Sequence, residues 1–113
     1  MRHTINDIGG EIVKQDDRYV VKDNKFLNIL ILSSTDLNPG KETSGHRHAG
    51  QEEVYLFISG SGKMIVDGDE YNEFKVQAGD VVLIPDGAFH KVINTSDEQL
   101  YFVCVFDGKR THG

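Results

Sequence analysis

The stretch GHRHAGQEEVY, from Gly45 to Tyr55, places two of the chain's five histidines one residue apart and follows them with a pair of glutamates. In an extended chain alternate side chains point to the same face, so His46 and His48 share a face and can approach one metal ion. Imidazole nitrogen is a common ligand of divalent transition metals. An H-x-H pair is also frequent in exposed loops, so the pair alone favours a polar loop over a metal site.

A third histidine, His90, begins the segment HKVINT just after a Pro-Asp-Gly turn. Together with His46, His48 and one glutamate it would complete a set of nitrogen and oxygen ligands for a divalent transition metal. Strand alternation does not choose between Glu52 and Glu53, because each shares its face with apolar neighbours. The residues by themselves therefore indicate a metal site without fixing its carboxylate.

The elements that must position these residues are short segments rich in β-branched and aromatic side chains, separated by turn signals such as NPG, SGSG and PDG. Turns about 8 to 12 residues apart predict an all-β sandwich or barrel. The SGSG step predicts a β-hairpin between the segments on either side of it. The predicted strands are 18–22, 26–34, 53–60, 62–68, 80–85, 90–95 and 100–106.

Composition narrows the class of protein. The 113 residues suffice for one domain, and the net charge of -6 disfavours nucleic acid and anionic membrane surfaces as partners. No apolar run approaches the roughly 20 residues of a membrane span, and the start MRHTINDIGG lacks the apolar region of a signal peptide. Cys104 is the only cysteine and cannot form an internal disulfide. We therefore expect a cytoplasmic protein.

Two longer patterns enclose the candidate ligands. Residues 40–60, GKETSGHRHAGQEEVYLFISG, have the form G-x5-H-x-H-x4-E-x6-G. Residues 79–94, GDVVLIPDGAFHKVIN, have the form G-x5-P-x-G-x2-H-x3-N. Both resemble the two signature motifs of the cupin superfamily at every fixed position, and the 18 residues between them resemble the short spacer of small bacterial cupins.

The resemblance implies an all-β fold, the double-stranded β-helix or jelly-roll barrel of the cupins. It implies a single cupin domain, residues 1–113, with a core of about 25–107 and both motifs within 40–94. Residues 1–17 and 108–113 are polar and are expected to be peripheral.

The resemblance also implies the ligands of one divalent transition metal ion, which could be manganese, iron, zinc or nickel. It carries over to His46 and His48 in the first motif and to His90 in the second. The motif leaves six residues between the carboxylate ligand and its closing glycine, and this spacing selects Glu53 over Glu52. A set of three histidines and one glutamate leaves one or two positions on the ion for substrate or oxygen.

The remaining pocket is inferred from alternation. Tyr55 and Phe57 face inward if Glu53 does, and the burial preference of free cysteine favours Cys104 and its face of the last strand as inward. Asn94 shares a face with His90 and is expected to form hydrogen bonds rather than to bind metal. The expected pocket residues are Tyr55, Phe57, Met64, Phe102 and Cys104. The candidate catalytic residues are Tyr55, Cys104 and Lys63, although a buried cysteine is commonly a core residue and a strand lysine commonly a solvated one.

Three functions remain open, since one barrel supports many chemistries. We favour a metal-dependent enzyme with oxygenase-like or decarboxylase-like chemistry on a small carbonyl, enol or carboxylate substrate, because the expected interior is aromatic. The first alternative is a sugar or sugar-phosphate isomerase, which needs a basic cluster that only Lys41, Arg47, Lys63 and Lys91 could supply. The second is a non-catalytic module that binds a small ligand.

Exposed edge strands in so small a barrel favour pairing between chains. We therefore expect a homodimer, as is typical of small cupins, with the N-terminal strands at 10–22 as candidates for exchange between the two chains.

Overall fold

A computed structural model describes residues 1–47, 49–67 and 72–108 and contains nine strands, all paired antiparallel. The all-β prediction is therefore confirmed. No helix in the described part of the chain is long and apolar enough to cross a membrane. The strands are β1 (Glu11–Gln15), β2 (Tyr19–Asn24), β3 (Leu30–Leu37), β4 (Glu53–Ser59), β5 (Ser61–Val66), β6 (Glu73–Gln77), β7 (Val81–Ile84), β8 (His90–Ile93) and β9 (Leu100–Asp107).

The strands form two sheets that enclose one core. The larger sheet has the order β1-β2-β3-β9-β4-β7 and the smaller has the order β6-β5-β8. Alternation puts every second residue inside, so Phe57 of β4 and Phe102 of β9 are buried in one cluster with Met64 of β5 and Val92 of β8. The core thus fills the space between the two sheets.

The predicted hairpin through SGSG is wrong. β4 pairs with β7 and β9, whereas β5 belongs to the other sheet and pairs with β6 and β8. Gly60 stands at the crossing with φ of 87°, in the region that glycine adopts without steric cost. A Cβ at Gly60 would lie 2.3 Å from the carbonyl oxygen of Gln99. Gly60 therefore lets the chain cross from one sheet to the other at a point where a side chain would collide with the backbone of Gln99.

Other strand boundaries also differ from the predictions. β6 is not among the predicted strands, β1 lies within the N-terminal strands expected at 10–22, and the strand expected at 26–34 begins at Leu30. The ladders explain this start, since β2 pairs with β3 only from Leu32 onward and β9 pairs with it from Leu30 onward. Gly68, the last residue of the predicted strand 62–68, lies outside the described residues.

The N-terminal segment packs against the larger sheet, although its polar sequence predicts a peripheral position. β1 is exposed along its length, but Ile8 is only 2% exposed. The hydroxyl of Tyr101 on β9 donates a hydrogen bond of 3.0 Å to the carbonyl oxygen of Ile5. Residues 5–8 therefore pack on the outer surface of the larger sheet. The expected C-terminal periphery, 108–113, lies outside the described residues except for Gly108.

Candidate metal centre and its cavity

The larger and the smaller sheet each contribute one ionisable side chain to a buried pair. Glu53 begins β4 and His90 begins β8. The Nε2 atom of His90 lies 2.8 Å from the Oε2 atom of Glu53, and each side chain is only 4% exposed. The neighbouring Glu52 is exposed. The two sheets therefore bring together one glutamate of the first motif and the histidine of the second.

The orientation of the His90 ring is set by its other nitrogen. Nδ1 lies 3.1 Å from the carbonyl oxygen of Ala88, which can only accept, so Nδ1 carries the proton of this hydrogen bond. Nε2 is thereby directed at the carboxylate of Glu53. A nitrogen so close to a carboxylate oxygen needs a proton or a metal ion between them. A backbone carbonyl on the second nitrogen is the usual support of a metal-ligating histidine.

The separation of the two side chains also suits a shared ion. Two ligand atoms that each lie about 2.1 Å from one ion and at right angles to each other stand about 3 Å apart. The 2.8 Å between Nε2 of His90 and Oε2 of Glu53 is close to this value. The chemistry and spacing of this donor pair therefore fit a divalent metal ion.

Backbone hydrogen bonds pair His46 with His90 and so hold His46 beside the buried pair. Its N–H donates to the carbonyl oxygen of His90 at 3.0 Å, and the N–H of His90 donates back at 2.9 Å. Residues paired directly across two antiparallel strands project to the same side, and the two rings lie 6.3 Å apart between centroids. The Thr43 N–H donates to the carbonyl oxygen of Val92 at 2.9 Å, so this segment runs along β8. His46 itself is exposed.

Further contacts fix the loop that carries the H-x-H pair. The Arg47 guanidinium donates to the carbonyl oxygen of Gly87 at 3.0 Å, and so connects the loop to the Pro-Asp-Gly turn. In the same turn, the Asp86 carboxylate accepts from the N–H groups of Gly50 at 2.7 Å and Gln51 at 3.2 Å. The loop and the turn before His90 are therefore one hydrogen-bonded unit, although 36 positions separate Gly50 from Asp86.

His48, the fourth predicted ligand, lies outside the described residues. The structure brings His46, Glu53 and His90 to the wall of one cavity. Among the residues described, which omit His48, no group of three or more histidine, cysteine, aspartate or glutamate side chains is close enough to hold a metal ion. The buried Glu53–His90 pair is therefore the centre of the candidate site, with His46 beside it.

The cavity between the sheets measures about 430 Å³. The larger sheet lines it with Tyr55 of β4 and with Phe102, Cys104 and Phe106 of β9. The inward orientation of the three β9 residues agrees with the face expected for the last strand. The Tyr55 ring stacks on Phe102 at 5.4 Å and meets His90 edge-on at 5.6 Å. Aromatic rings therefore pack directly against the candidate ligands.

Other expected pocket residues lie elsewhere. Phe57 and Met64 are buried in the core and are not among the residues that line the cavity. Lys63 lies on β5 of the smaller sheet, where its ammonium is 3.8 Å from Glu73, and it borders a separate depression. The structure thus separates Lys63 from Tyr55 and Cys104, the other two candidate catalytic residues.

None of the four cations considered for a phosphate site lines this cavity. Lys41 lies 3.6 Å from Asp17, Arg47 lies 2.9 Å from Asp67, and Lys91 pairs with Glu42, while Lys63 has the Glu73 partner described above. Each of these charges is engaged by a carboxylate outside the cavity. They do not form the basic cluster that a phosphorylated substrate requires.

Sequence reasoning missed the polar part of the cavity wall. Across the sheet, Asp23 pairs with Ser33, Ser33 with Cys104, and Cys104 with Tyr55, so the four side chains share one face. All four line the cavity. Tyr55 and Cys104 were predicted to line the pocket, whereas Ser33 and Asp23 were missed: Ser33 lies within the strand expected at 26–34, and Asp23 lies just beyond the strand expected at 18–22. The further polar lining residues that were missed are Lys14, Thr35 and Thr43.

Asn94 has the hydrogen-bonding role expected of it. It is 1% exposed and donates to the carbonyl oxygens of Leu37 at 3.0 Å and Glu98 at 2.7 Å. Its amide oxygen accepts from the Ser96 N–H at 3.0 Å and from the Ser96 hydroxyl at 2.9 Å. Asn94 therefore fixes the turn after β8, away from the metal candidates.

Comparison with known proteins identifies the family of this chain. Residues 33–106 match the family model described as Cupin domain. The chain belongs to the cupin family. Both signature motifs lie within the matched range, and the candidate ligands of this cupin all fall inside it.

Curated relatives carry two different names. This cupin is 29% identical to the glucose-6-phosphate isomerase of Pyrococcus horikoshii, in a match that covers 90% of the chain and 62% of the relative. It is 33% identical to the oxalate-binding protein of Thermotoga maritima, over 61% of the chain and 54% of the relative. The chain thus spans less than two thirds of the length of either relative.

Solved structures of the same fold include the oxalate decarboxylase of Bacillus subtilis, which contains Mn(II) centres. This cupin superposes on it with a TM-score of 0.78 and 26% identity, over 90% of the chain and 29% of the decarboxylase chain. The two antiparallel sheets are therefore a jelly-roll cupin barrel, as the motifs implied.

Proposed function

We propose that this cupin is a metal-dependent enzyme that acts on a small carboxylate, carbonyl or enol substrate by oxygenase-like or decarboxylase-like chemistry. One observation carries the proposal. Glu53 and His90 stand 2.8 Å apart, buried between the sheets at the wall of a cavity. Burying two ionisable groups is costly, and such pairs occur preferentially where a fold performs chemistry.

Four residues would hold the ion: His46, His48, Glu53 and His90. When bound, a divalent ion such as manganese, iron, zinc or nickel polarises a substrate oxygen and stabilises negative charge that develops on it. The Mn(II) centres of the similar oxalate decarboxylase support manganese as the first metal to test. His90 is oriented for this task by Ala88, and His46 by its backbone pairing with His90.

The cavity wall would bind and orient the substrate. A volume of about 430 Å³ is within the usual range of small-molecule sites. The stacked rings of Tyr55 and Phe102 present flat apolar surface beside His90, which suits a small planar molecule and excludes water from the ligand pair. Cys104 and Ser33 supply weak polar groups on the same face.

The two alternative functions, a sugar-phosphate isomerase and a non-catalytic binding module, differ in how well the structure and the relatives support them. The isomerase hypothesis rests on the relative from Pyrococcus horikoshii, but the four cations that would bind a sugar phosphate are paired outside the cavity. The non-catalytic hypothesis is favoured by the relative named as an oxalate-binding protein. Binding of a small carboxylate without turnover is therefore the second candidate function.

Elemental analysis of protein purified without added metal tests the site. We expect close to one equivalent of a divalent transition metal per chain in the wild type, and a loss of most of it in His48→Ala. His3→Ala, which removes an exposed histidine, is the matched control and should retain the metal. Equal metal content in His48→Ala and the wild type would remove the basis of the proposal.

Turnover separates the enzyme from the binding module. Metal-loaded protein is incubated with oxalate and with short keto and hydroxy acids, and release of carbon dioxide and uptake of oxygen are recorded. Either signal, absent from His90→Gln, supports an enzyme. Saturable binding without either signal supports the second candidate function.

A further inference from the structure

β1 contains one residue more than its partner can pair. Ile12 pairs with Lys22, but Lys14 pairs with Val21, so the register shifts and Val13 forms a β-bulge. In a regular strand Val13 and Lys14 would face opposite sides. Because of the bulge, both line the cavity. The bulge thus turns a lysine of the edge strand toward the cavity that the candidate ligands also line.

Lys14 is exposed on the edge strand and lines the wall of this cavity, where its charge is available to a ligand. In the described part of the chain, six of the other lysines and arginines form ion pairs with carboxylates, whereas Lys14 forms none. Asp23 lines the same cavity without forming an ion pair with Lys14. Of the lysines and arginines that the structure describes, only Lys14 lines the cavity that Glu53 and His90 share.

We propose that Lys14 binds the anionic group of the substrate and so selects small carboxylates. This inference rests on the proposed function. Lys14 and the ligand pair line the same cavity of about 430 Å³, so a carboxylate bound in this cavity can meet the Lys14 ammonium. The remaining wall is aromatic or neutral apart from Asp23, so a single ammonium gives a strong preference for a charged over a neutral ligand.

Calorimetric titration of metal-loaded protein with oxalate, and with neutral oxamide as the control ligand, tests the inference. Lys14→Met removes the charge and retains most of the apolar stem. Lys75→Met is the matched control, since Lys75 is an exposed strand lysine of the smaller sheet. A charge-assisted hydrogen bond in a partly enclosed site predicts that Lys14→Met weakens oxalate binding about tenfold to a hundredfold, with Lys75→Met unchanged.

Both variants change exposed positions on strands, so we expect both to fold, which circular dichroism checks. Metal content, measured on the same samples, should be equal in both. Equal oxalate affinity in Lys14→Met and the wild type would overturn the inference, as would a metal-loaded wild type that binds no more oxalate than oxamide. Oxalate binding that depends on Lys14 in protein with no bound metal would keep the inference and overturn the proposed function.

Discussion

Glu53 and His90 belong to different sheets, yet their side chains stand 2.8 Å apart in the interior. The register of β4 brings Glu53 inward opposite Ile84 and Phe106, and the pairing of β8 with β5 places His90 opposite Val66. The contact therefore depends on the docking of the two sheets, while the Ala88 carbonyl orients the His90 ring.

A metal ion bound to this pair should stabilise the protein. At a free Mn(II) concentration a hundred times its dissociation constant, the free energy of unfolding should rise by about 2.7 kcal/mol. Glu53→Gln should lose this increment at the same Mn(II) concentration, because the anionic ligand is gone. Glu52→Gln, at the exposed neighbouring position, should keep it. Urea unfolding with and without Mn(II) measures the difference, and equal increments in the two variants would contradict the assignment of Glu53.

The resemblance to the cupin motifs selects Glu53 over Glu52 by the spacing of the first motif. Alternation alone does not choose between these two glutamates, because both faces of the strand carry apolar residues. The structure has Glu53 5% exposed and Glu52 exposed. The proximity of Glu53 to His90 was likewise implied by the resemblance to cupin motifs rather than by the local sequence.

Features that depend on pairing between distant strands could not be predicted from motif spacing or from strand alternation. The orientation of Lys14 follows from the bulge at Val13, and a register shift leaves no trace in a period-two pattern. The wrong hairpin at SGSG has a related cause, since a glycine-rich step permits a tight turn and a crossing to another sheet equally well. In the structure the chain crosses at Gly60, where the absence of a Cβ permits the close approach of the Gln99 carbonyl.

Alanine substitutions at Gly60 and Gly79 separate the cost of backbone strain from the cost of the close contact at the crossing. Their φ values are 87° and 95°, but a Cβ at Gly79 would meet nothing within 4 Å, whereas at Gly60 it would meet the Gln99 carbonyl oxygen at 2.3 Å. Gly79→Ala should cost about 1 to 2 kcal/mol from backbone strain alone. Gly60→Ala should cost about 2 to 4 kcal/mol, since overpacking adds to the strain. Denaturant unfolding of both measures the steric part, and equal costs would show that the crossing can relax.

Asp16 should show an unusual titration. The side-chain hydrogen bond from Arg18, followed by the Arg18 backbone N–H, lowers the pKa of Asp16 from its ordinary 3.8 to about 2. A lowered pKa in the folded state means that the stabilisation is complete above pH 3.8 and is lost as the pH falls toward 2. In Arg18→Gln the pKa should return toward its ordinary value. Carbon-detected NMR titration of the carboxyl measures both, and an unchanged midpoint in Arg18→Gln would contradict this cause.

Exposed apolar side chains on the outer surface of the larger sheet favour self-association of the protein. Val81 and Leu83 of the edge strand β7 are 60% and 70% exposed, and they pair with Leu56 and Val54 of β4 on the same outward face. We expect a homodimer contact on this face as well, while the exchange expected at residues 10–22 stays a prediction. A second copy would cover this apolar face and the open edge of β7.

Analytical ultracentrifugation at micromolar concentration tests the contact. We expect a dimeric wild type and a monomeric Leu83→Lys. Ile29→Lys changes another apolar residue that is 55% exposed, and should remain dimeric as the control. A monomeric wild type would rule out the homodimer, and a dimeric Leu83→Lys would place the contact on a different surface.

The division of Glu53 and His90 between two sheets has a consequence for how the protein matures. A chain in which only one sheet has formed holds only one half of the pair and so lacks the complete set of proposed ligands. The proposed ion would therefore be held at full affinity only after the two sheets have packed together, and its binding would report that packing.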